Sequence, residues 1–312
     1  MSVVINTNVD SIKIQSLLNN STSNLSKSMQ RMSSGLQILS AKDDAAGTVI
    51  SAKMQVQLNG NQIAQKNVQN ANALLSTAEG NLDVVQDNVS RIRDLTLQAK
   101  NGTYSEEEIK AMQDEVDERI AEINRISSSA TYSSLQLFGG DLAETGATFQ
   151  VGANDGTDNT IKASENLFKS VEFSALTGAT KFNLQAIANG NEAADDGSYE
   201  ASTFKSGDAT IGEDDIPEGE NWFDVAIRSL DDAIDNITDR KSIIGSAGNR
   251  MDSALNTLTT QYENLSSAKS IITDADIASE ASNFTQQQIL QQVSTSLLAQ
   301  ANQAPSIALS LV

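Results

Sequence analysis

Apolar residues recur along this chain at steps of three and four, and the longest such run is unbroken. Val68, Ala71, Leu75, Ala78, Leu82, Val85, Val89 and Ile92 keep strict 3-4 alternation. Towards the other end Phe223, Ile227, Leu230, Ile234, Ile237, Ile244, Met251, Leu255, Leu258, Tyr262, Leu265 and Ile272 share one seven-residue register, interrupted by Lys241, Gly248 and Lys269 without losing phase. Two seams of this kind predict two long helices packed at a shallow angle as a coiled coil. A third helix is expected from Ser105, whose hydroxyl can cap it while Glu108 completes a capping box. Its apolar stripe is Ile109, Met112, Val116, Ile120, Ile123 and Ile126.

The two ends of the chain carry weaker stripes. Leu18, Leu25, Met29, Met32, Leu36 and Leu39 step by seven, four and three, which predicts an N-terminal amphipathic helix as far as Leu39. Polar SAKDDAAG, Ser40–Gly47, breaks it. From Ala281 onward there is no charged residue, yet aliphatics recur at helical spacing. An uncharged amphipathic helix is marginal alone in water, so it needs a partner. The long seams already pair with one another, which leaves other copies of the chain as the expected cover for both ends.

Between about Leu135 and Leu230 the text turns rich in Gly, Asp, Thr and Phe, with short apolar runs such as ATFQVGAN that predict strands and turns. From Asn191 to Asp235 there are 14 Asp and Glu against Lys205 and Arg228, a net charge of −12. That is expected to be a solvated outer surface. NDGTDNT, Asn154–Thr160, lacks the spacing and terminal Glu of a calcium loop and is expected to be a hairpin turn. The fold class is therefore mainly α with a small β portion: an elongated coiled-coil rod of long antiparallel helices from both termini, a β-hairpin region and a short variable insertion.

Composition narrows the function. In 312 residues aromatics are 4%, Pro occurs twice, and Cys and His are absent. This excludes disulfides, zinc peptidases, cysteine nucleophiles and histidine-based triads. The formal charge of −20 repels phosphate backbones and anionic membranes, so neither nucleic acid nor membrane is an expected partner. The N-terminus is too polar for a cleavable signal peptide. Ser-x-x-Lys occurs at Ser202–Lys205 and Ser266–Lys269 without the SDN and KTG elements a serine acyl enzyme needs. Asp43–Asp44 and Asp231–Asp232 are adjacent and diverge on a helix. No enzyme, metal or cofactor is expected.

Three stretches resemble bacterial flagellin closely: RMSSGLQILSAKDDAAGTVIS at Arg31–Ser51, VSRIRDLTLQAKNGTYS at Val89–Ser105, and ILQQVSTSLLAQANQAPSIALSLV at Ile289–Val312. INTN at Ile5–Asn8, FQVGAN at Phe149–Asn154 and DADIASE at Asp274–Glu280 fit the same family. The departures are a short middle, Ile271 where the family has a basic residue, and Val312 as the last residue. The resemblance implies a subunit that polymerises into the flagellar filament for motility, is exported unfolded by the flagellar type III apparatus, and is secreted. The terminal helices of that family are disordered in the monomer. Residues 1–42 and 272–312 would form the inner filament core, 43–174 and 220–271 a helical domain with the β-hairpin, and 175–219 the outer insertion.

Implied partners are further copies of the chain, an export chaperone, cap and hook-junction proteins, and animal Toll-like receptor 5. The matching receptor positions are Arg91, Leu95 and Glu115, with Leu95 expected as an exposed apolar contact beside Arg91. Assembly contacts are expected at Leu25, Met29, Met32, Leu36, Ile289, Val293, Leu297 and Leu298. The alternatives are a hook–filament junction protein of the same superfamily and a secreted coiled-coil adhesin or effector.

Overall fold

The computed structural model describes residues 7–179, 182–188, 204–206, 209–211 and 221–309, with 204–206, 209–211 and 304–309 as backbone only. The long helices are α1 (Val9–Ser34), α2 (Ala45–Ala99), α3 (Glu106–Ser129), α8 (Trp222–Thr273) and α9 (Ile277–Leu309). Among the described residues between α3 and α8 lie four short helices, α4 (Leu142–Thr145), α5 (Glu165–Phe168), α6 (Phe173–Thr177) and α7 (Leu184–Ala188). Three antiparallel pairs join them: β1 (Thr131–Tyr132) with β2 (Leu135–Gln136), β3 (Ala147–Gln150) with β4 (Thr160–Ala163), and β5 (Phe204–Ser206) with β6 (Ala209–Ile211). The fold class is thus mainly α with small β hairpins.

The chain divides into two compact units, Gly60–Thr259 and Met1–Asn59 with Thr260–Val312. Both boundaries fall inside the long helices α2 and α8. The helices themselves break elsewhere, at Gly35–Asp44 and at Asp274–Asp276. Most of the expected 175–219 insertion and of the acidic run lies outside the described residues.

In the Gly60–Thr259 unit the heptad seam of α2 is the core. Val68, Ala78, Leu82, Val85, Val89 and Ile92 are all fully buried, as are Leu230, Ile237 and Met251 of α8. Each of these except the small Ala78 contributes ~1.5–3 kcal/mol by leaving water. At one interruption in the α8 register, Lys241 reaches back to α2, 2.6 Å from Asp83 and 3.1 Å from the Gln86 side-chain oxygen. Arg93 of α2 and Lys100, the residue after its end, pair with Asp231 and Asp224 of α8 in the same way. Helix α3 starts with the expected capping box, Ser105 and Glu108 bonded reciprocally, and it packs Val116, Ile123 and Ile126 inward.

The few aromatics gather where the helices give way to hairpins. Phe138, Phe168 and Phe173 are buried, and Phe173 meets Phe182 edge-on at 5.5 Å. In the β3–β4 hairpin Phe149 pairs with Ile161 and Gln150 with Thr160. NDGTDNT is therefore part of a hairpin connection, but a longer and more structured one than a tight turn. A 3-10 turn at Thr157–Asn159 folds it back, and the Gln150 side chain donates to the carbonyls of Gly152 and Asn154. This loop also explains a glycine inside α2: a Cβ on Gly60 would stand 2.7 Å from that of Ala153.

Candidate functional site

The other unit is built on a different rule. Helices α1 and α9 run antiparallel, because pairs at opposite ends meet in reverse order. The Asn8 amide donates to the Ala301 carbonyl at 2.8 Å, the Gln291 amide to the Thr22 hydroxyl at 3.3 Å, and Arg31 lies 3.8 Å from Glu280. The side chains turned inward share one heptad register on each helix. In α1 it reads Ile14, Leu18, Ser21, Leu25, Ser28 and Met32; in α9 it reads Glu280, Phe284, Gln287, Gln291, Ser294, Leu298 and Ala301. The most buried members are polar or small: Ser21, Ser28, Glu280 and Ser294. Small side chains let two backbones approach closely but bury little apolar area.

Other large aliphatics face the other way. Ile12, Leu17 and Met29 of α1 are 61%, 59% and 53% exposed, and Ile289, Val293 and Leu297 of α9 are 55%, 47% and 45% exposed. Leu290 and Ile277 join them. Exposed apolar residues scattered singly are ordinary, whereas a helix pair that buries serines and presents aliphatics is an unfinished interface.

This sorts the expected assembly residues into two groups. Met29, Leu36, Ile289, Val293 and Leu297 are exposed and free to meet another copy. Leu25, Met32 and Leu298 are half-buried in the register shared by α1 and α9, so they serve the chain's own helix pair. The C-terminal segment therefore has one cover within its own chain, where the sequence pattern pointed to other copies alone. Nor does the helical stripe extend to Leu39. Helix α1 ends at Gly35, whose left-handed backbone (φ 71°) lets its N–H reach the Arg31 carbonyl at 2.8 Å.

The break that follows is held by backbone and by aspartates. The Gln37 N–H donates to the Thr273 carbonyl and the Ala275 N–H to the Gly35 carbonyl, at 2.7 and 2.9 Å. The Asp43 carboxylate accepts from the Leu39 and Ser40 backbone N–H groups and lies 2.6 Å from the Lys27 ammonium. The Lys27 hydrogen bond holds the Asp43 pKa below the ordinary aspartate range. Across the break Asp274 accepts from the Ser270 and Thr273 hydroxyls, which lowers its pKa in the same sense. Asp276 accepts from the Ala278 and Ser279 N–H groups and starts α9. The acids of SAKDDAAG and DADIASE are thus helix-end and loop fasteners. Sequence reasoning missed the Asn8, Arg31–Glu280 and Asp276 contacts; only Asp276, a helix-start residue ahead of an apolar run, carried a readable signal.

The expected receptor positions come together only in part. Arg91 grips Glu115 with both nitrogens, Nε at 2.8 Å and the other at 3.1 Å. Arg119 adds a 3.1 Å bond to Glu115 and reaches Asn88 at 3.0 Å. The Arg91 hydrogen bond lowers the Glu115 pKa and raises that of Arg91. Glu115, on α3, is thus an interhelical partner of Arg91. Leu95 is not exposed: it is 2% accessible and belongs to the core beside Ile92. Its seven-residue distance from Asn88, which is also buried, puts it on the inner face of α2.

Among the described residues no helix is long and apolar enough to cross a membrane, and no group of three His, Cys, Asp or Glu could hold a metal ion. Residues 5–143 match the family model of the bacterial flagellin N-terminal helical region, and residues 227–312 that of the bacterial flagellin C-terminal helical region. A flagellin of Serratia marcescens is 37% identical, with 100% of each chain covered. The flagellar filament 33 kDa core protein of Treponema phagedenis is 35% identical, over 99% of this chain and 100% of that one. A flagellar hook-associated protein of Vibrio parahaemolyticus has the same fold at 15% identity, with a TM-score of 0.52 over 74% of this chain and 99% of that one. Matched at both ends by the family's own helical regions and along its whole length by its members, the chain belongs to the bacterial flagellin family.

Proposed function

We propose that the chain is a structural subunit of the bacterial flagellar filament, exported unfolded and polymerised outside the cell. Family membership supports the filament role. The observation that carries the mechanism is the outward apolar face of α1 and α9, with Val293 and Leu297 nearly half exposed while Ser21, Ser28 and Ser294 are buried. Repeating subunits would cover that face, and the lack of cysteine suits threading and later folding. The chain's similarity to flagellins along its full length favours this reading over a hook–filament junction protein; the hook-associated protein with the same fold is only 15% identical. Export chaperone, cap and junction proteins are the partners this role requires. Purified chain under salting-out conditions, with filament fragments as seeds, is expected to grow long filaments by negative-stain microscopy. Failure to elongate seeds would favour the junction protein or a secreted coiled-coil protein.

Recognition by Toll-like receptor 5 belongs to the same proposal, centred on Arg91 and Glu115. The bidentate pair presents a fixed guanidinium at a third to two-fifths exposure, a geometry suited to directional contact. Leu95→Ala does not test this surface, because removing a buried leucine costs ~2–5 kcal/mol of stability by itself. Arg91→Ala is the usable probe. It is expected to lower receptor signalling by monomer with an unchanged helical circular dichroism signal; unchanged signalling would remove Arg91 from the proposal.

A further inference from the structure

The dipeptide Asn-Gly occurs three times in the chain, at Asn59–Gly60, Asn101–Gly102 and Asn189–Gly190. The last lies outside the described residues, and the first two sit in opposite surroundings. Asn59 and Gly60 lie inside α2, where the helix engages the Gly60 N–H. The Asn59 side-chain oxygen also accepts from the Gln55 amide at 2.7 Å. Asn101 and Gly102 belong to the turn from α2 to α3, in a run that is exposed from Lys100 to Glu108. The Asn101 carbonyl accepts from the Thr103 and Tyr104 N–H groups at 2.7 and 3.4 Å. Neither the Gly102 N–H nor the Asn101 side-chain amide has a hydrogen-bond partner among the described residues. A Cβ on Gly102 would meet no atom within 4 Å, and its φ is not positive. The turn leaves this glycine unhindered without requiring it.

We propose that Asn101 is a site of spontaneous deamidation through attack by the Gly102 nitrogen, and that the helix protects Asn59 from the same reaction. The Gly102 nitrogen gives its proton to hydroxide and attacks the side-chain carbonyl carbon of Asn101. A C–N bond closes a five-membered imide, and the side-chain nitrogen leaves as ammonia. Water then opens the imide. Breaking the bond to the side-chain carbonyl gives aspartate; breaking the bond to the main-chain carbonyl gives isoaspartate, with the backbone rerouted through the side chain. Both reacting groups of Asn101–Gly102 are free, and opening an exposed turn moves no core residue. Freeing the Gly60 N–H means unwinding a helix interior. The product sets a new carboxylate between Lys100, which pairs with Asp224, and Glu106, Glu107 and Glu108 in the first turn of α3. The proposal is independent of filament assembly.

The test is incubation of full-length monomer in mildly alkaline buffer, followed by tryptic peptide mapping with mass spectrometry. Digestion in heavy-oxygen water marks any deamidation that occurs during work-up. Cleavage after Lys100 and Lys110 isolates residues 101–110, and cleavage after Lys53 and Lys66 isolates residues 54–66. The first peptide is expected to gain the deamidation mass at Asn101 and to divide into aspartate and isoaspartate forms, while Asn59 stays intact. In chain unfolded by urea, both asparagines should react at similar rates. Gly102→Ala should slow the reaction at Asn101 several-fold, because a methyl group hinders ring closure, with the helical circular dichroism signal unchanged. No mass gain at Asn101, or equal gains at Asn101 and Asn59 in the folded chain, would overturn the site. Asn59 that stays intact in urea would overturn protection by the helix. An unchanged rate in Gly102→Ala, or aspartate without isoaspartate, would mean direct hydrolysis and overturn attack by the Gly102 nitrogen.

Discussion

The helix pair α2–α8 in the Gly60–Thr259 unit and the pair α1–α9 in the other unit are written in the same heptad grammar but bury opposite things. The first places Leu82, Val85, Val89 and Ile92 at full burial and leaves charges outside. The second places Ser21, Ser28 and Ser294 inside and leaves Met29, Ile289, Val293 and Leu297 outside. A heptad says that helices associate; the residue types at its positions say whether the association is finished. The first unit satisfies itself. The second leaves these aliphatics uncovered among the described residues, and covering them would contribute ~25 cal/mol per Å².

The comparison breaks most visibly if the core of the first unit is charged. Val89→Asp puts an unpaired carboxylate at a fully buried position, which costs several kcal/mol or forces protonation. A loss of the main cooperative melting transition is expected by circular dichroism; a melting temperature near wild type would deny that this seam is the core. A smaller effect sharpens the contrast from the other side. Ser28→Leu makes the α1 seam more hydrophobic, yet it should destabilise the α1–α9 pair by ~1–3 kcal/mol, because it adds bulk at a position that is already buried. Faster amide exchange in both helices would show this, and slower exchange would mean the seam tolerates an ordinary apolar heptad.

The smallest effect is electrostatic. The Arg91 hydrogen bond depresses the Glu115 pKa in the folded state. The pair therefore stabilises the fold above the ordinary glutamate range, and the contribution is lost as pH falls through the depressed folded value. With both side chains a third or more exposed, solvent screening keeps it small. A carboxyl NMR titration of Glu115 should shift upward in Arg91→Ala and with added salt. No shift in the variant would mean that Arg91 is not the dominant partner.

Much of this architecture is legible in the amino-acid sequence. The α2 seam, the Ser105–Glu108 capping box and the family resemblance rest on local, periodic signals, and periodicity survives folding where both faces of a seam belong to one chain. What periodicity does not carry is depth or direction. Leu95 and Leu97 are two residues apart in one helix, and one is buried while the other is 51% exposed. The choice depends on where α3 and α8 pack. Leu25 and Met29 likewise look equivalent in a stripe, and only the position of α9 separates them. Gly35 cuts the stripe short of Leu39 because a left-handed cap can end a helix whose apolar pattern continues.

The claim that the outward face of α1 and α9 is an unfinished interface is tested most directly by charging that face alone. In a Val293→Asp, Leu297→Asp variant both carboxylates start at positions nearly half exposed in the single chain. Sedimentation and negative-stain microscopy should find no filaments under conditions where wild type polymerises, while the melting curve of the monomer matches wild type. Filaments of ordinary length from this variant, or a monomer that melts as early as Val89→Asp, would contradict the account.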